Sequence, residues 1–179
     1  MVHQFTQPKL DIPFQSIHKV LDKYRHDHPD KIALYDLEQN RSVTWGTLAD
    51  VADKIARYLI SIGIKKGDRI GLLSDENLDK MLIWMGIWRL GAVVCPLNVE
   101  INSAHIKELL ESIGPKLTLW HEDLDGSTMT DGITGKTIRF DKWNDYTSLN
   151  NDPSEFFNAV AATDPEYTVE SENGPDDLS

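Results

Sequence analysis

Only one cysteine, Cys95, occurs in 179 residues, so no disulfide can form within the chain and the fold must rest on its core. The apolar neighbours of Cys95 (Val93, Val94 and Leu97) predict a buried, inert thiol rather than a nucleophile. Basic residues are outnumbered, 18 Lys and Arg against 29 Asp and Glu, for a formal net charge of −11. Residues 151–179 carry eight of those acids and no Lys or Arg, which leaves −3 for the rest of the chain. No basic stripe is available to meet nucleic acid or an anionic membrane surface, so neither is an expected partner. Met1 to Phe14 contain no apolar h-region, which makes a cytoplasmic protein the expectation. The apolar stretch Met81 to Leu97 is broken by Arg89 and closed by Pro96, short of the ~20 uninterrupted residues of a membrane span. It reads as a buried helix running into a buried strand.

The motifs of several chemistries are also missing. No Gly-x-x-x-x-Gly-Lys-Ser/Thr phosphate loop occurs, and Gly63-Ile64-Lys65-Lys66-Gly67 precedes a strand, whereas a dinucleotide fingerprint lies between a strand and its following helix. Asp75 and Glu76 follow a strand like the acidic pair of a phosphoreceiver domain, but the later strand ends hold Val94-Cys95-Pro96 and Thr118-Leu119-Trp120. A carboxylate pair at a helix N-terminus is the better reading. His26 and His28 flank Asp27 beside Pro29 with no third ligand near in sequence, and Trp84 and Trp88 are explained by packing on an apolar helix. Catalytic, cofactor-binding and metal-binding residues are therefore expected to be none.

What is present is periodic. Ile17, Val20, Leu21 and Tyr24 mark one face of a helix over Ser16 to His26, and Ile32–Asp36 with Ser42–Trp45 read as a hairpin. Thr44 is placed to cap a helix whose apolar face runs from Leu48 through Leu59 to Ile62, with Asp50–Lys54 and Asp53–Arg57 as i,i+4 pairs opposite and Gly63 as its stop. Ile70 to Leu73, Ala92 to Cys95 and Leu117 to Trp120 are short apolar runs without alternation, as strands covered on both faces are. Between them lie helices capped by Asn77 or Asp75 and by Ser103. Alternating strands and helices predict an α/β fold, a parallel sheet with helices on its faces beside an N-terminal hairpin. Lys136–Phe140 reads as a further strand and Glu155 to Ala161 as helical. Residues 1–142 are the expected α/β subdomain and 143–179 an acidic linker.

Four segments recur together: His28-Pro29-Asp30-Lys31-Ile32-Ala33-Leu34, Val43-Thr44-Trp45-Gly46-Thr47-Leu48, Gly63-Ile64-Lys65-Lys66-Gly67-Asp68-Arg69-Ile70 and Gly91-Ala92-Val93-Val94-Cys95-Pro96-Leu97-Asn98. In this order and spacing they resemble the start of the acyl-CoA synthetase and luciferase superfamily of adenylate-forming ligases, over about residues 14–122. The resemblance implies a partial domain of an enzyme that activates a small or medium carboxylic acid as an acyl-adenylate and passes it to CoA, using ATP and Mg²⁺. It implies these cofactors for the intact parent and none for this piece, with the remainder of the ligase as partner and self-association through exposed apolar surface. Pro175-Asp176-Asp177-Leu178-Ser179 resembles the approach to the family's phosphate-binding loop, and Thr47 stands where the family often has Glu. A naturally short α/β interaction module derived from a ligase N-terminus is the alternative.

Overall fold

Ser16 caps the first described helix by accepting the Lys19 N–H at 3.4 Å; α1 (Ile17–Asp27) then turns Leu21 into the core and stacks Tyr24 on Trp45, ring centroids 4.5 Å apart. The computed structural model describes residues 14–100, 102–125, 129–143, 155–164 and 174. Strands β1 (Ile32–Asp36) and β2 (Arg41–Thr44) pair antiparallel, with Asp36 opposite Arg41. The second strand starts and ends one residue earlier than periodicity suggests, because Thr44 is the N-cap of α2 (Trp45–Ser61) and Trp45 is already helical. Thr44 Oγ1 accepts the Thr47 N–H at 3.2 Å and donates to Thr47 Oγ1 at 3.1 Å, so Thr47 still engages the cap. At the other end the Ile64 N–H bonds Leu59 O and the Gly63 N–H bonds Ile60 O, a Schellman stop with Ile64 folded onto the core.

The sheet is built from β3 (Arg69–Leu73), β4 (Val93–Leu97), β5 (Leu117–His121) and β6 (Lys136–Phe140), with α3 (Leu78–Leu90) between β3 and β4 and α4 (Ser103–Ile113) between β4 and β5. All pairings are parallel in the order β4-β3-β5-β6. The α/β architecture with a hairpin is therefore as expected. Asn77 caps α3 by accepting the Lys80 N–H at 2.8 Å, and Gly91, in the left-handed region at φ 80°, releases the chain into β4. The cap of α4 is Asn102 rather than Ser103; its Oδ1 accepts the Ala104 N–H at 2.8 Å and Ser103 is the first helical residue. Nor does Pro96 end the ladder, since Pro96 lies opposite Leu72 and Leu97 opposite Leu73. Among the described residues β4 is an edge strand, where a missing N–H is tolerated.

Helices α2 and α3 pack on one face of the sheet and α4 on the other, as right-handed crossovers require. A Cβ on Gly86 of α3 would overlap the side chain of Ile55 on α2, so only glycine permits the two helices to lie this close. The core extends past residue 142: Trp143 is fully buried, and α5 (Glu155–Ala162) buries Phe156, Phe157 and Val160 against β6 and α2. Trp143 stacks on Phe157 with centroids 4.5 Å apart.

Two ion-pair clusters replace the local pairs read from the sequence. Asp53 faces inward between guanidiniums, at 2.7 Å from Arg25 on α1 and 2.6 Å from Arg89 on α3, and Arg25 also reaches Asp50 at 3.0 Å. Tertiary partners out-compete Lys54 and Arg57 because a two-sided, half-buried clamp is worth more than an exposed i,i+4 pair. The other cluster is Asp79, 1% exposed in the first turn of the largely apolar α3. Arg41 grips it bidentately at 2.7 and 3.0 Å and donates to Trp143 O at 2.5 Å, while the Trp143 N–H donates to Asp79 Oδ1 at 3.0 Å.

Removing one member of a buried pair strands the other, so Asp79→Ala should destabilise the chain by about 3–5 kcal/mol in urea unfolding. Gly86→Ala should cost about 1–3 kcal/mol by forcing α2 and α3 apart. Unchanged denaturation midpoints for either variant would contradict these roles.

Candidate functional site at the strand ends

Ligands of open α/β sheets sit beyond the carboxyl ends of the strands. In this chain a cavity of about 670 Å³ lies there, between the loop after β3 and the loop after β4. Ser74, Asp75 and Glu76 form one wall, Leu97, Asn98 and Val99 another, and Trp84 and Lys80 of α3 project from the side. Glu38 of the hairpin and Glu100 complete the rim. The lining thus has four carboxylates and one ammonium.

That ammonium is already engaged. Lys80 is 3% exposed, and its Nζ donates to Ser74 O at 3.0 Å and to Glu76 Oε1 at 2.5 Å. The loop is knit to itself as well: Asn77 Nδ2 donates to Ser74 Oγ at 2.9 Å, and Ser74 Oγ donates to Asp75 O at 3.0 Å. A polyphosphate needs several donors converging from backbone and cation. The rim opposes such a charge, and the donors nearest to it are used internally. The residues here do not fit the phosphates of ATP or CoA. Among the described residues, no group of three or more His, Cys, Asp and Glu converges as a metal site.

The amino ends of the strands carry the cations. Arg69, Lys116 and Lys136 sit side by side there, because the Lys116 N–H bonds Arg69 O and the Lys136 N–H bonds Lys116 O. The lysines that look dispersed in sequence are gathered by the parallel topology. Two of these side chains are committed to helix C-termini: Lys116 Nζ donates to Gly63 O at 2.6 Å and also pairs with Asp68, and Arg69 donates to Ile113 O at 3.1 Å. Cations there complement the negative ends of α2 and α4, as the acids at the opposite edge complement a helix N-terminus.

The remaining residues singled out by sequence fall apart in space. His26 is exposed and pairs with Asp27 at 2.9 Å, a hydrogen bond that holds the Asp27 carboxyl below its ordinary value. Trp84 and Trp88 meet edge to face at 5.6 Å and are partly exposed. Cys95 is half-buried rather than buried; its Sγ donates to Val93 O at 3.9 Å, and burial raises its pKa against the opposing charge of Arg69. Sequence reading missed Lys80 and Asp79. The Glu76–Lys80 spacing, i to i+4 with the acid first, was the signal for one, whereas the partner of Asp79 lies 38 residues away.

A family model described as "AMP-binding enzyme" matches residues 21–179. Surfactin synthase subunit 1 of Bacillus subtilis is 28% identical over 159 residues, 89% of this chain and 4% of that protein. The mitochondrial medium-chain acyl-CoA ligase ACSF2 of Mus musculus is 29% identical over 101 residues, 56% of this chain and 16% of the ligase. The crystal structure of the N-terminal domain of FACL13 from Mycobacterium tuberculosis superposes with a TM-score of 0.73 at 19% identity, covering 92% of this chain and 40% of that one. The chain therefore spans well under half the length of each of these proteins.

A raised thiol pKa means less thiolate at neutral pH, so Cys95 should react with iodoacetamide at pH 8 more slowly in the native chain than in urea. Because the unfolded chain ionises first, the contribution of this group to stability should fall as pH rises through and above 9.0. Native alkylation as fast as in urea would show an open, activated thiol instead.

Proposed function

Since the chain belongs to the AMP-binding enzyme family, we propose that it is the N-terminal part of an adenylate-forming carboxylic acid–CoA ligase and acts there as scaffold. The observation that carries this reading is the match over residues 21–179, joined to a fold shared with a ligase N-terminal domain. Under this reading the intact enzyme uses ATP, Mg²⁺ and CoA on a small or medium carboxylic acid. None of the described residues is assigned to those groups. The chain contributes the wall at the carboxyl edge of the sheet, where neutralised Lys80 and the apolar faces of Trp84 and Leu97 shape a cavity without binding phosphate. Catalytic side chains and the phosphate-binding loop belong, on this reading, to the downstream polypeptide, and residues 1–179 alone are inactive. The longer match to surfactin synthase favours a second reading, an amino-acid-activating domain built on the same scaffold. The two differ downstream: an amino-acid-activating domain continues into further synthase modules, whereas a CoA ligase does not.

Calorimetry of residues 1–179 with Mg-ATP should show no saturable binding, and pyrophosphate exchange should be absent with fatty, aromatic and small polar acids. Micromolar binding that survives high salt would place a nucleotide site within this chain and overturn the assignment. Reading the gene beyond Ser179 tests the rest of the proposal: it should continue into a strand and then a Ser/Thr/Gly-rich loop ending in Pro-Lys-Gly.

A further inference from the structure

The connection from β5 to β6 ends in a tight turn over Thr130 to Ile133, where the Ile133 N–H donates to Thr130 O at 3.3 Å, long for such a bond. Gly132 has φ 73° and follows a residue of negative φ, so it is the third residue of a type II turn. Glycine takes that conformation without strain. The residue before it is Asp131, and both are exposed. Among the described residues neither the Asp131 carboxyl nor the Gly132 N–H has a hydrogen-bond or ion-pair partner.

An aspartate followed by glycine can close a ring on its own main chain. The glycine nitrogen attacks Cγ of the aspartate, a C–N bond forms, and one carboxyl oxygen leaves as water with the carboxyl and amide protons. One water then reopens the five-membered succinimide at either carbonyl. Breaking the new C–N bond restores aspartate; breaking the original one leaves isoaspartate, with one more methylene in the main chain and no net change of mass. Glycine favours the first step because no Cβ shields its nitrogen. Folded structure blocks it where the amide is hydrogen-bonded or the carboxyl is held, and at Asp131-Gly132 both groups are free to react.

The turn is anchored on both sides. Met129 is buried with Leu73, Ile106 and Leu110, and Ile133 packs on the same cluster. Gly135 passes so close to Pro115 that a Cβ on it would overlap the Pro115 carbonyl oxygen. Ends held in this way have little room to slide and absorb an extra backbone atom, so a lengthened turn pushes Met129 or Ile133 off α4.

We propose that Asp131 is a site of spontaneous conversion to isoaspartate in the folded chain, and that the longer turn loosens the packing of Met129 and Ile133 on α4. The inference does not rest on the ligase reading. Ageing the full chain in warm neutral buffer, with the isomers told apart by electron-transfer mass spectrometry, tests it against a free peptide of residues 129–135. Isoaspartate should accumulate at residue 131 within several-fold of its rate in the peptide. An Asp131→Glu chain should form none there, because a glutamate must close a larger ring. A native rate an order of magnitude or more below that of the peptide would overturn the proposal, since the fold would then be holding the amide away from the carboxyl. The purified isoaspartyl chain should exchange amide hydrogens over residues 103–113 several-fold faster than fresh protein. Equal exchange would overturn the loosening of α4.

Discussion

A carboxylate with almost no contact with water, that of Asp79, joins three parts of this fold that the parallel sheet alone would leave separate. It sits in the first turn of α3, takes both guanidinium nitrogens of Arg41 from the hairpin and accepts the backbone N–H of Trp143 beyond β6. The guanidinium closes the loop by donating to the Trp143 carbonyl. Each of these hydrogen bonds has a geometric consequence: together they set where the hairpin stands over α3 and where the chain turns after β6. Burial of such a pair contributes little net free energy over an apolar replacement, but it penalises every arrangement that separates its members. Trp143 then anchors α5 by stacking on Phe157, so the last part of the core is fixed through the same point.

The sheet has two electrically different ends for a reason that precedes any ligand. Parallel strands with helical crossovers put helix C-termini at one edge and helix N-termini at the other. Lys116 and Arg69 answer the carbonyls at the first edge. Asp75 and Glu76 stand beside the cap of α3 at the second, where Lys80 neutralises Glu76. The one ammonium on the cavity wall is thus engaged by the fold before it is asked to recognise a substrate. This is why a cavity in the usual place for an α/β ligand site can lack the donors for phosphate. Function is a property of the site and not of the architecture.

The same asymmetry separates the two faces of the sheet. On the α4 side His105, Glu108 and Glu111 point outward. On the α3 side the apolar pattern continues around the helix with nothing among the described residues to cover it, and the hairpin continues that apolar path.

The sequence alone determined the element order, the parallel topology and most of the caps. These depend on interactions within a few residues: Thr44 with Thr47, Asn77 with Lys80, Gly63 and Gly91 with the turns before them. Apolar runs without alternation at Ile70–Leu73 and Leu117–Trp120 likewise announced burial on both faces. Tertiary structure decided what depends on distance. Asp53 left its i,i+4 neighbour for Arg25 and Arg89, Asp79 entered the core because Arg41 arrives from 38 residues away, and Arg69, Lys116 and Lys136 became neighbours only when β3, β5 and β6 aligned. Local spacing fixes backbone conformation because hydrogen bonds of caps and turns close over about three to five residues. Charge partners and covered faces are chosen by which elements meet, and a one-dimensional pattern does not carry that information.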